Sequence, residues 1–506
     1  MKKIMTRLLS LVLLGAFIPS FVLAETWDLG KGDITVTATE TSQTVSQVNG
    51  ETKDDPDPVI TSSGKTENTV TINAETNATA NVTLENVNID TGTRGGAAIT
   101  TSGEGNVNIE LNGTNTVQSG NTHAGVEKKD NGTLTITDED KDGSLTATGG
   151  NYGAGIGGGY EGSGSNIAIE GGKVKAIGGT HGAGIGGGFG GSGSNIAIEG
   201  GKVEASSVGG GAGIGGGSLG SGSNIAVSGG EVTAQGGVGG AGIGGGQGGS
   251  GSNITISDGK VTATGAGAGA GIGGGYEGSG KSITIEGGEV TAQGDAGGAG
   301  IGGGIGGTGS DVTISGDAQV KVQGGTTGRD WHKGAAIGNG GTPTTDGNEV
   351  SPNTSDLKVG GFIQIYEPGK NINTDTPDRT IEGQKGDHSW NAGEVTTAET
   401  VPESKAAAYW VSDSQGQSIP YQAQQKDGVL TVTVQADTAS LRGTTGSLRQ
   451  LEAQGVAEIR FVTNGAQSAF TLSDLLTSGT GSFTLTHDGD KVTFTLESTD
   501  ISGILK

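Results

Sequence analysis

Of 506 residues, 107 are glycine, none is cysteine, and aromatic residues make up 4%. The formal net charge is −25, so the basic footprint that phosphate recognition requires is missing and no nucleic-acid partner is expected. Without thiols there is no disulfide, no thiolate chemistry and no lipidated cysteine.

The chain opens with Lys2, Lys3 and Arg7, followed by an apolar stretch from Leu8 to Leu23 that Pro19 interrupts. Val22-Leu23-Ala24 fits a signal-peptidase site. Residues 1–24 therefore read as a cleaved signal peptide, which predicts a secreted or cell-surface protein. Losing those three positive charges takes the net charge from −25 to −28. No later stretch is apolar enough for a span, so no transmembrane segment is expected after cleavage.

Residues 25–60 contain Trp27-Asp28-Leu29-Gly30, Ile34-Thr35-Val36 and the acidic stretch Asp54-Asp55-Pro56-Asp57-Pro58. They read as an N-terminal strand and cap, which a repeat array needs on its open end. Residues 61–150 hold short alternating runs such as Val82-Thr83-Leu84 and Val107-Asn108-Ile109.

From residue 151 a period takes over. Gly-Ala-Gly-Ile-Gly-Gly-Gly recurs around Ile156, Ile185, Ile214, Ile243, Ile272 and Ile301, each 29 residues apart. Ile337 is a later member, and Val126 and Ile99 are degenerate earlier ones. Each repeat holds three strand signals: the Ala-Gly-Ile segment, a run such as Asn166-Ile167-Ala168-Ile169, and a run such as Lys173-Val174-Lys175-Ala176. The side chains alternate with the period of two that marks strands, and glycine pairs supply the corners. A propeller blade needs four strands in a longer repeat, and a helical repeat needs the 3.6 period. The predicted fold is all-β: a single-stranded parallel β-helix over 61–367, regular over 151–314, with three short strands per 29-residue rung. Right-handed crossovers are the default for parallel strands. Stacked Ile167, Ile169 and Val174 columns would form the core. Stacked Asn166, Asn195, Asn224 and Asn253 would form a side-chain ladder at a corner.

Residues 368–404 carry Pro368, Pro377 and Pro402 and read as a linker. Residues 405–506 read as a small α+β domain. Strands are expected at Val429–Val434, Glu458–Val462, Phe470–Leu472 and Val492–Leu496, and a short helix from Leu448 to Ala453.

Two groups of residues carry candidate chemistry. Asp138, Asp140 and Asp142 alternate before Gly143 and can converge on a hard cation such as calcium, Ca2+, which takes six to eight oxygens. The helix-loop-helix calcium loop needs a glutamate at its twelfth position, which is Gly149 here. A calcium β-roll is excluded, because its aspartate position holds Asn195 and equivalents and the period is not nine. The second group is aromatic. The residue after the glycine triplet is Tyr160, Phe189, Ser218, Gln247, Tyr276 and Ile305 in turn, and Tyr152 and His181 share a neighbouring column. Rings aligned along a face can stack on sugar rings, so Tyr152, Tyr160, His181, Phe189 and Tyr276 are the predicted carbohydrate-binding residues. Catalysis is not expected. The regular block holds only Asp258, Asp295 and Asp311, out of register, and the arginines near the repeats are Arg94 and Arg329.

These repeats, together with Asn106-Val107-Asn108-Ile109-Glu110-Leu111-Asn112-Gly113-Thr114-Asn115, resemble secreted carbohydrate-binding-domain proteins of clostridia-type Gram-positive bacteria over roughly residues 61–345. The resemblance implies a right-handed parallel β-helix that binds polysaccharide or cell-wall glycan at the cell surface, with acidic polymers and calcium among the candidates. The expected function is thus a non-catalytic polysaccharide-binding protein. An adhesin or structural spacer is the second expectation and a polysaccharide lyase the third.

Overall fold

The computed structural model describes residues 24–382, apart from 49, 51, 130, 327–331, 355–356 and 359–360. It also describes 409–505, apart from 414–418, 420, 427, 445–447, 449–450, 453–454, 479–481, 490 and 497–498. The signal segment lies outside the described residues except for Ala24. The chain divides into two units, 1–385 and 386–506.

The first unit is a parallel β-helix with three sheets. In one complete coil, Ile156–Gly157 belongs to the third sheet, Gly164–Ile169 to the first and Lys173–Gly178 to the second. The next coil repeats the order 29 residues on, and every strand pairs in register with its equivalent: Ile156 with Ile185, Ile167 with Ile196, Val174 with Val203. The first two sheets have 11 strands each and the third has 13. Ile156, Ile167, Ile169, Val174 and Ala176 point into the coil and are buried, as are their equivalents above and below. Each fully buried valine or isoleucine contributes about 1.5–3 kcal/mol. A lone coil could not bury them, so stacking is the condition of folding.

The glycines are fixed by how closely coils approach. A Cβ on Gly182 would lie 1.9 Å from the Gly153 carbonyl oxygen of the coil before. Gly186 has φ +127°, and a Cβ there would lie 2.0 Å from the Gly215 oxygen. Side chains would hold the loops apart and break the roughly 4.8 Å coil spacing.

Asn166, Asn195, Asn224 and Asn253 sit at φ between 51° and 57°. Asparagine tolerates this left-handed region better than other residues with a Cβ. Each turns the first-sheet strand at one point. The side chains bond along the stack: Asn195 Nδ2 donates to Asn166 Oδ1 at 2.8 Å, Asn224 to Asn195 at 3.0 Å and Asn253 to Asn224 at 3.1 Å. The expected ladder is present, continued in place by Ser282 and Asp311 at φ 55° and 53°.

The coil begins earlier than residue 61. Thr26–Asp28 already pairs in parallel with Val59–Thr61, and Ile34–Ala38 with Val70–Ala74. The capping element is narrower than 25–60. Gln43–Gln47 folds back antiparallel on Ile34–Ala38, and Lys53–Asp54 pairs with Gln43–Gln47. Asp55, in the acidic stretch of this segment, is buried and accepts from Trp27 Nε1 at 2.8 Å. At the other end Phe362–Tyr366 is the last parallel strand of the second sheet, and Arg379–Glu382 closes it antiparallel. Part of the expected 368–404 linker is therefore a cap strand, while 383–404 lie outside the described residues.

The second unit is nearly all sheet. One sheet has five strands, from Tyr409–Ser412 to Thr499–Asp500, and another has four, from Gln422–Lys426 to Gln467–Thr471. Phe461, Phe470, Phe483 and Phe494 fill its core, with Phe470 and Phe494 ring centroids 4.7 Å apart. The segment around Phe470–Leu472 corrects the sequence expectation. Its strand ends at Thr471, and Leu472–Ser478 is an α-helix whose Leu472 and Leu475 enter the core. Of the expected helix at 448–453, Leu448, Leu451 and Glu452 are described and helical, with Leu448 and Leu451 buried in the core; 449, 450 and 453 lie outside the described residues.

Candidate glycan-binding face

Two loops flank the third sheet in every coil: residues 149–155 before Ile156–Gly157 and 158–163 after it. They are tied together across coils. Tyr160 N donates to Thr122 O at 2.7 Å, Phe189 N to Tyr152 O at 2.9 Å, Ser218 N to His181 O at 2.8 Å and Tyr276 N to Gly239 O at 2.7 Å. This stitching puts the Tyr160 column and the Tyr152 column side by side on one edge of the β-helix.

Four of the five predicted residues meet there. Tyr152 and His181 stack with centroids 5.2 Å apart and planes 13° apart; Tyr160 and Phe189 stack at 5.7 Å and 12°. The two stacks meet edge to face, with Tyr152–Tyr160 at 5.5 Å and His181–Phe189 at 5.3 Å. Such pairs satisfy the preference of rings for stacked and T-shaped contacts. Tyr160 keeps 47% of its surface exposed. The fifth residue, Tyr276, lies three coils beyond Phe189 and is not in ring contact with these four among the described residues. Its Cβ instead stands 3.4 Å from a Cβ placed on Gly239. The physical reason is the break at Ser218 and Gln247: Ser218 is buried, and Gln247 lies over Gly239. Exposed apolar side chains continue the face, with Val208 at 67%, Leu219 at 65% and Val238 at 65% exposure.

A charged group that sequence reasoning missed borders the ring cluster. In the coil before the first regular repeat, Glu127, Lys128 and Lys129 replace the glycine triplet. The Glu127 carboxylate is 4% exposed and takes three partners: His123 Nδ1 at 2.6 Å, Lys129 Nζ at 2.7 Å and the Ala124 N–H at 3.1 Å. It lies 3.0 Å from a Cβ placed on Gly159, directly before Tyr160. Buried charge is tolerated because all three donors converge on it. Substitution of three glycines in an otherwise glycine-rich column was the available signal.

The carboxylates regroup relative to expectation. Glu110, Asp138 and Asp140 bring one oxygen each within 4.8 Å of one another. Asp142 does not join them; its N–H, with that of Gly143, donates instead to Asp138 Oδ1 at 3.2 and 3.1 Å. Glu110 comes from the strand stacked below, 28 residues earlier, which no linear motif displays. Three convergent carboxylates suit a hard cation such as calcium. They sit in the turn between the first and second sheets, whereas the rings flank the third. Of the Arg329–His332 segment, Arg329, Asp330 and Trp331 lie outside the described residues. His332 Nδ1 contacts Asp346 at 3.1 Å.

A family model described as Beta helix repeat matches residues 141–160, 167–189, 196–218, 225–247, 254–276 and 283–307. Those segments coincide with the stacked coils, in agreement with the parallel β-helix fold of the first unit. No curated protein and no solved structure matches it. No helix among the described residues is long and apolar enough to cross a membrane.

Proposed function

We propose that this protein is an exported, non-catalytic scaffold that binds polysaccharide along the edge bearing Tyr152, Tyr160, His181 and Phe189. The observation that carries this reading is the four-ring cluster, which leaves Tyr160 exposed on a surface otherwise poor in aromatics. Ring faces in a polar surface are what sugar C–H faces stack on. A panel of immobilised polysaccharides, probed with the secreted chain, tests it. Tyr160→Ala and Phe189→Ala should each weaken retention by roughly tenfold, the equivalent of about 1.4 kcal/mol. Failure of the wild-type chain to bind any polysaccharide would remove the reading.

Acidic glycans with calcium as a bridge receive less support, because the carboxylate group and the rings occupy different edges. Calcium fits better as a stabiliser of the Asp138–Gly143 turn. Export from residues 1–24 predicts a secreted chain beginning at Glu25, which N-terminal sequencing reads directly. A second reading, a stiff surface spacer without a glycan ligand, draws support from the continuous ladders. Backbone Ser192, Ser221, Ser250 and Ser279 N–H groups each donate to the serine hydroxyl one coil earlier, at 3.1–3.3 Å. The spacer reading predicts no retention on any glycan. Release of unsaturated or reducing ends from a bound polymer would place the protein among the lyases or hydrolases instead.

A further inference from the structure

One column on the rim of this face is not explained by folding. Its members, one per coil, are Glu161, Gly190, Leu219, Gly248, Glu277 and Gly306. All are exposed, and all adopt positive φ: 57° at Glu161, 67° at Leu219 and 58° at Glu277, against 73°, 79° and 73° at the glycines. Glycine takes this conformation without penalty, whereas a residue with a Cβ is strained in it. Leu219 adds an exposed apolar side chain to that strain. The strained residues alternate with glycine, so side chains recur every second coil. Each reaches over the glycine that follows: a Cβ on Gly190 would lie 3.9 Å from Glu161 Cγ, one on Gly248 3.3 Å from Leu219 Cδ2, and one on Gly306 3.8 Å from Glu277 Cγ. Local strain without a folding benefit marks a surface kept for another purpose.

With coils about 4.8 Å apart, two coils span roughly 10 Å, about the length of one disaccharide in an extended, two-fold β-linked chain. We infer that the ligand is an uncharged polysaccharide of that kind, lying along the axis with Glu161, Leu219 and Glu277 meeting equivalent positions of successive disaccharides. The inference rests on the polysaccharide reading and adds the class of polymer and its register. Glu161 and Glu277 have acceptors for sugar hydroxyls and repel uronates. The same two carboxylates hold the adjoining Tyr160 and Tyr276 phenols above their ordinary pKa. Leu219, midway between them, presents an apolar surface to a ring face.

The test uses the full secreted chain with soluble β-1,4-glucan and β-1,4-mannan oligosaccharides of increasing length, an α-glucan and a polygalacturonate. Affinity should climb with length until the oligosaccharide spans Glu161 to Glu277, and the α-glucan and polygalacturonate should bind at least tenfold more weakly. Glu161→Gly, Leu219→Gly and Glu277→Gly should each raise Tm, by relieving strain, while lowering affinity roughly three- to tenfold. The double variant Leu219→Gly/Gly248→Leu keeps the leucine but breaks the alternation, and it should bind like Leu219→Gly. Full binding by that double variant, or preference for the α-glucan or polygalacturonate, would overturn the inference. If Tyr160→Ala abolishes binding but the three glycine variants do not alter it, the ring platform stands and the two-coil register falls. If no polysaccharide binds at all, both fall.

Discussion

At the scale of single residues, position in the stack decides what each side chain can do. Asp138 is an exposed-turn aspartate in the sequence, yet it receives two backbone N–H groups from its own turn and shares space with Glu110 of the coil below. If the group holds calcium, millimolar calcium should raise the Tm of the wild-type chain. Glu110→Ala or Asp138→Ala should abolish that shift, while Asp142→Ala should retain it. A wild-type Tm indifferent to calcium removes the metal from the account. Only Asp138 and Asp140 of this set were legible in the sequence, because a linear motif cannot show a ligand contributed by a neighbouring coil. Glu127 was hidden for a different reason: its partners His123, Ala124 and Lys129 lie within four residues of it, but the sequence does not show that they close over a buried carboxylate.

At the scale of the coil, backbone proximity governs tolerance to substitution. Gly182 and Gly190 are both repeat glycines, eight positions apart, and the sequence already separates them: the Gly182 position is glycine in every regular coil, whereas the Gly190 position holds Glu161, Leu219 and Glu277 in others. The structure gives the physical reason. A Cβ on Gly182 meets a carbonyl oxygen at 1.9 Å, whereas the nearest atom to one on Gly190 is Glu161 Cγ at 3.9 Å. Gly182→Ala should therefore cost about 3 kcal/mol or more, since neither coil can move without disturbing the stack. Gly190→Ala should cost only about 1–2 kcal/mol, the strain of a left-handed alanine. Urea denaturation followed by circular dichroism measures both. Equal losses would show that the stack relaxes in ways the close contacts do not suggest.

At the scale of the whole chain, the second unit carries its own response to acid. His487, in the second unit, is fully buried, with Nδ1 3.1 Å from Thr463 Oγ1 and Nε2 3.0 Å from Ser468 Oγ. Burial lowers its pKa below the ordinary 6.5. The unfolded chain then binds a proton more readily than the folded unit. Stability from this site is present above pH 6.5 and drains away as pH falls from there toward the folded pKa. Scanning calorimetry between pH 7.5 and 4.5 should show a transition of the second unit that moves to lower temperature with acid, and His487→Gln should flatten that dependence. An unchanged transition in the wild type would contradict the assignment.

The sequence by itself determined the architecture of the first unit. A 29-residue period with alternating isoleucine and valine can bury its apolar face only by stacking, so the columns of Ile156, Ile167 and Val174 and the ladder from Asn166 to Asn253 followed from spacing alone. Tertiary structure decided which columns become neighbours. It joined Tyr152 and His181 to Tyr160 and Phe189, left Tyr276 three coils away, exchanged Asp142 for Glu110, and started the coil at Thr26 rather than near residue 61. The physical reason is that period fixes what lies above and below a residue. What lies beside it depends on how the loops fold across each coil, and that is set by hydrogen bonds between residues far apart in the chain.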